Sequence, residues 1–122
     1  MREIKCRALD AATNEWVCGY YVVLDSGFEM VECIWELGAK RATPIDPDTL
    51  GQFTGLTDVN NREIYEGDIV LADSEYGEKV RDIVCWSYGS FYVANHTFKK
   101  LKNIEVIGNI YQHKHLLKEN EL

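Results

Sequence analysis

The chain is poor in the residues that punctuate or staple a fold. Of its 122 residues only two are prolines, Pro44 and Pro47, both in one short stretch. Its four cysteines, Cys6, Cys18, Cys33 and Cys85, form no Cys-x-x-Cys pair, so the signature of redox dithiols and zinc ribbons is missing. No apolar run reaches the roughly 20 residues of a bilayer span, and the opening MREIKCRALD holds no signal-peptide core. The expectation is a cytoplasmic protein whose thiols stay reduced; an even cysteine count alone does not argue for two disulfides. Positive charge is scarce too, with 13 Lys and Arg against 20 Asp and Glu and a formal net charge of −7. That balance works against generic coating of phosphate backbones. A phosphate-cradling glycine loop, a nucleophile elbow, a helix-loop-helix calcium spacing, an internal repeat and a low-complexity segment are all absent.

What is present favours strands. Hydrophobic residues make up 46% and charged residues 27%, a globular balance that is too apolar for disorder. A single domain is expected at this length, and it buries roughly two thirds of its unfolded surface without a disulfide or metal. Seven Tyr, four Phe and three Trp lie among Val and Ile, residue types that suit a pleated, half-buried surface.

Along the chain, Glu3 to Ala8 alternates, with Ile4, Cys6 and Ala8 on a buried face. Trp16 to Leu24 and Phe28 to Trp35 read as a hairpin around Asp25-Ser26-Gly27. In Glu36 to Thr49, Gly38 and both prolines argue against a continuous element, so the chain is expected to cross between sheets or form a loop there. Short strands follow at Leu50 to Leu56, Ile69 to Ala72, Val80 to Trp86, Phe91 to Ala94 and Ile104 to Tyr111. Val80, Val84 and Trp86 share one face, and Gly108 marks a bulge or close approach. The segments expected are 1–45 for N-terminal strands and crossover, 46–111 for barrel-like strands, and 112–122 for a tail. Leu116 and Leu117 either dock that tail as a short helix or leave it frayed.

The most distinctive stretch is Gln52 to Val70, QFTGLTDVNNREIYEGDIV. Together with the opening REIKCRALD and the closing IEVIGNIYQHKHLL, it resembles the YopX family of bacteriophage and prophage proteins. The motif positions are Gln52, Phe53, Thr54, Gly55, Asp58, Asn60, Tyr65, Glu66, Gly67 and Asp68. Cys6 departs from the aromatic that the family often has there. Asn61 departs from its usual Gly, although Asn still suits a turn with positive φ. The resemblance implies a mostly β fold with a small barrel-like lobe around Tyr65 to Leu71, and a phage or prophage origin. It implies no activity and carries over no catalytic residue.

Each reactive constellation has a plain structural reading beside it. Asp58, Glu63, Glu66 and Asp68 are oxygen donors of the kind Mg²⁺ or Ca²⁺ takes, yet turns need the same residues, so a turn role is expected for them. His113 and His115 lack a third ligand nearby, which favours a chance surface pair, and His96 reads as a loop residue. Cys85 has no base beside it and is expected to be a buried small hydrophobe. Lys99, Lys100 and Lys102 follow Tyr88, Phe91 and Tyr92, the ingredients of a single-strand groove. Three lysines do not offset the acidic whole, and a solvated loop is expected.

These readings combine into a mainly β, small barrel-like (SH3-like) fold with short strands, tight turns and a short helix or frayed tail. No cofactor, metal or catalytic residue is expected. The function expected is non-enzymatic and works through binding a protein or through self-association, since open sheet edges invite pairing. Nucleic acid is unfavoured as a partner and no membrane is expected. A nucleic-acid-binding barrel and a metal-dependent hydrolase built on Asp58, Glu66 and Asp68 are the alternatives.

Overall fold

Gly19 shows how the first part of the chain closes. A computed structural model describes residues 4–118, which fall into two compact units that divide between Phe53 and Thr54. In the first unit, β1 (Cys6–Asp10) pairs antiparallel with the start of β2 (Trp16–Asp25), from Leu9 opposite Trp16 to Cys6 opposite Gly19. At Tyr20, β2 changes partner and runs antiparallel to β3 (Met30–Trp35), from Tyr20 opposite Trp35 to Asp25 opposite Met30. A Cβ on Gly19 would lie 2.3 Å from the Trp35 carbonyl oxygen, so only glycine lets the two backbones approach at this corner. Next, β3 pairs with β4 (Thr43–Thr57) at Cys33–Pro44 and Ile34–Thr43, and β4 pairs back onto β1. Each strand thus has two neighbours and the four close into a ring. Ala8, Ile34 and Ile45 fill it, with Cys6, Val17 and Leu50 packed against them.

The second unit is built on an open antiparallel sheet in the order β10-β6-β7-β8-β9. Its strands are β6 (Asp68–Ser74), β7 (Lys79–Ser87), β8 (Ser90–Val93), β9 (His96–Thr97) and β10 (Leu101–Asn109). A short β5 (Glu63–Tyr65) pairs with β4, a 3₁₀ turn covers Phe98–Lys100, and α1 (His115–Lys118) ends the described chain. Central β6 is almost wholly buried, and its Val70 and Ala72 pack with Ile64, Val84, Phe91, Val93, Leu101 and Val106. Leu116 and Leu117 are half-buried, and Arg81 Nη1 donates to the Leu116 carbonyl at 3.2 Å, so the described start of the tail is docked.

The mainly β, small-barrel expectation holds, with corrections. The ring is made by β1 to β4, whereas Tyr65 to Leu71 belongs to the second unit. Where a crossing or loop is expected, β4 runs as one strand through both prolines, and the compact units divide within it, after Phe53. Pro44 keeps its place through its carbonyl, which accepts from the Ala11 N–H. Pro47 sits in a bulge: Leu9 faces Asp46 and Arg7 faces Gly51, so the four residues from Pro47 to Leu50 stand against the single residue Ala8 of β1. Inside that bulge Thr49 Oγ1 donates to the Asp46 carbonyl (2.7 Å) and accepts from the Leu9 N–H (2.9 Å), so the ladder asks no N–H of Pro47.

Other expectations shift by a residue or a face. Ile4 lies outside β1 and is exposed, while Leu9 joins Ala8 in being buried. Cys85 is exposed on β7, and Trp86 is 42% exposed although it shares a strand face with buried Val84. Gly108 is both things expected of it: the β10 register shifts there, and a Cβ would lie 2.8 Å from the His113 Cβ. Glu3 and the tail beyond Lys118 lie outside the described residues.

Candidate functional site

The 52–70 motif is tied to its own main chain. Gln52 pairs with Cys6 across β4 and β1, and the Phe53 N–H donates to the Lys5 carbonyl at 2.9 Å. Thr54 Oγ1 donates to the Ile64 carbonyl (2.8 Å) and accepts from the Leu56 N–H, while Gly55 beside it is exposed. Asp58 is buried and receives three N–H groups: Asn60 (2.8 Å) and Arg62 (2.9 Å) on Oδ1, and Val106 of β10 (2.9 Å) on Oδ2. Burial pushes its pKa up, but the hydrogen bonds from Val106, Arg62 and Asn60, with the Arg62 charge, outweigh that and hold it below the ordinary carboxylate range. Asn61 adopts φ +65°, the turn conformation its side chain tolerates.

Asp68 is also buried, and its Oδ2 accepts from the Tyr65 N–H at 2.8 Å. The Tyr65 hydroxyl donates to Glu63 Oε1 (3.1 Å). Gly67 donates its N–H to the Val84 carbonyl and accepts at its own carbonyl from the Ile110 N–H. Glu66 is half-buried, and its charge bears on Cys85. Asp58 and Asp68 thus address different backbone amides and do not converge on an open cleft. Among the described residues no group of three or more His, Cys, Asp or Glu is placed to hold a metal ion.

The other constellations are equally committed. His113 Nδ1 accepts from the Asn109 N–H (3.1 Å) and so closes the turn after β10; its ring lies edge-on to that of His115, 6.3 Å between centroids. His96 lies on β9 rather than in a loop. Lys100 reaches Glu75 at 3.9 Å. Lys99 lines a cavity of about 300 Å³ with Thr54, Leu56, Phe91 and Phe98. Cys85, Tyr88 and Tyr92 line another of about 310 Å³. Burial pushes the Cys85 thiol up, and the charges of Asp82 and Glu66 push it further, which disfavours the thiolate a nucleophile requires.

The surface that stands out is the β2–β3 hairpin. Beyond Gly19, β2 is hydrogen-bonded to β3 and not to β1, and β3 meets β4 only at Cys33 and Ile34 among the described residues. The rest of the ribbon is an arm. The pleat puts Tyr20, Val22, Leu24, Val31, Cys33 and Trp35 on one face, all apolar. Cys33 is buried among its neighbours, but Tyr20 is 48% exposed, Leu24 42% and Trp35 38%. Phe28 at the tip is fully exposed, and Met30, opposite Asp25 on the other face, is 63% exposed. The opposite face is mixed: the Tyr21 hydroxyl donates to Glu32 Oε1 at 2.6 Å, and Ile34 turns into the ring core. The hairpin is legible in the sequence, but its exposure is not. The available signal is YYVVL, five apolar residues without the polar alternation of a half-covered strand.

The comparisons with known proteins bear on family and fold. No curated protein sequence matches the chain significantly. A crystal structure of protein EF1440 from Enterococcus faecalis is similar at a TM-score of 0.59 and 22% identity, covering 96% of this chain and 99% of that one, a likeness of fold. The family model described as YopX protein matches residues 5–118. That match spans nearly the whole chain, motif and arm alike, and the chain belongs to the YopX family.

Proposed function

We propose that this chain is a non-enzymatic accessory protein of phage or prophage origin that binds another protein in the bacterial cytoplasm through the β2–β3 arm. The observation that carries this reading is the exposed apolar face of that arm. Contiguous apolar surface of this kind marks interaction sites in soluble proteins, and a two-stranded ribbon has little stability of its own until something covers it. The absence of an enzymatic role is supported by Asp58 and Asp68, whose carboxylates are engaged by backbone amides. The acidic balance of the chain and the Lys100–Glu75 pair weigh against nucleic acid.

The test is affinity capture from lysogenic or infected cells with mass spectrometry, comparing the natural chain with Leu24→Asp. Leu24 is partly exposed and outside the ring core, so the variant is expected to fold. A partner retained by the natural chain and lost with Leu24→Asp supports the reading. Equal capture by both chains removes the arm from it.

A further inference from the structure

We propose that the partner seated on the arm is a second copy of this chain, docked antiparallel about a two-fold axis near Val22. This rests on the reading of the arm as the binding surface. Its support is the order of charges along the ribbon. From Tyr20 to Trp35 the sequence YYVVLDSGFEMVECIW contains three acids and no base. Asp25 and Glu29 sit at the tip. At the root, the Trp35 indole N–H donates to the Ala39 carbonyl (3.0 Å), which holds the following loop beside the base of the arm; there exposed Lys40 and Arg41 outnumber the one exposed acid, Glu36.

The paired residues between root and tip span roughly 20 Å at the rise of an extended strand. A partner must therefore offer a basic site and an acidic site separated by that distance, in the reverse order, with an apolar face between. The arm itself has this pattern when turned by a two-fold rotation. Tip acids then meet root bases at both ends, and the apolar faces stack between them without a charge. A parallel arrangement would instead set acids against acids. The exposed apolar side chains of this face, with Phe28 at the tip, amount to roughly 500 Å² per protomer, and the charged groups at tip and root bring the patch toward the ~800 Å² each partner contributes to a standard interface.

The experiment is sedimentation equilibrium of the whole chain over roughly 10 to 300 µM, a range suited to interfaces of this size. Three samples are compared: the natural chain, and two charge-reversed variants, Asp25→Lys/Glu29→Lys and Lys40→Glu/Arg41→Glu. These residues are exposed, and circular dichroism checks the fold. The expected result is a dimer for the natural chain and association weakened about ten-fold or more for each variant alone. An equimolar mixture of the two variants should recover association, because each reversed tip then faces a reversed root. A natural chain that stays monomeric while Leu24→Asp still strips a captured protein overturns the second-copy inference and leaves the binding reading standing. A monomer that captures nothing through the arm overturns both. Self-association that the mixture does not restore overturns the antiparallel arrangement.

Discussion

Replacing Asp58 with Asn tests whether the family motif is a main-chain clamp. The substitution keeps the size of the side chain and one carbonyl oxygen. That oxygen best serves the Oδ1 position, where the Asn60 and Arg62 N–H groups converge. The new amide then points at the Val106 N–H, donor against donor, where the carboxylate had accepted at 2.9 Å. A hydrogen bond to a charged acceptor contributes about 1.5–3 kcal/mol, and an orphaned buried donor costs about 1–3 kcal/mol. These overlap, so the expected loss is about 2–4 kcal/mol, a large share of the roughly 5–15 kcal/mol of a typical domain.

The same carboxylate fixes a pH dependence. Its folded pKa is lowered, so its contribution is complete above the unfolded carboxylate value of about 4 and is lost as pH falls through the lower folded value. The gap between the natural chain and Asp58→Asn should therefore be widest near neutrality and narrow in acid. Urea unfolding from about pH 7 to about pH 3 reads the gap, and amide hydrogen exchange at Val106 reads the clamp directly. A variant within about 0.5 kcal/mol of the natural chain at neutral pH, the scatter of an ordinary surface change, with unaltered Val106 exchange, would refute the reasoning.

Two further outcomes are expected. Gly19→Ala places a methyl group 2.3 Å from the Trp35 carbonyl oxygen and should cost about 2 kcal/mol or more, seen as a lowered melting temperature; an unchanged melting temperature would mean that the ring corner is not as tight as described. Cys85 is exposed yet its thiol is pushed up, so its reaction with a disulfide reagent should be slow at neutral pH and accelerate in alkali, and Asp82→Asn should speed it by removing one of the charges responsible; a rate indifferent to Asp82→Asn would remove that charge from the account.

The sequence discloses what depends on near neighbours. Asp58 caps a turn within four residues of itself, Asn61 takes the positive φ its side chain allows, and Gly108 admits a ring five residues on. The prolines mislead because the cost of a missing N–H depends on whether a partner strand needs it. Pro44 serves through its carbonyl, and Pro47 stands in a bulge bridged by Thr49. Cys85 departs from a compositional default, although strand parity with buried Val84 already sets it on the other face.

The arm follows from ring closure, which the local pattern does not contain. A run such as YYVVL reads alike whether a second layer covers it or not, and the change of partner at Gly19 decides which. This separates the most recognisable residues from those assigned to binding. A clamp demands particular atoms at particular places: the Asp58 carboxylate must meet the Asn60, Arg62 and Val106 amides at once, so a clamp writes a distinctive motif without performing chemistry. An apolar docking face asks only for area and shape, which Val, Leu, Ile and aromatic residues supply in many combinations. Its sequence signature is weak for that reason, and the arm becomes visible only when the fold shows which of its apolar residues are left uncovered.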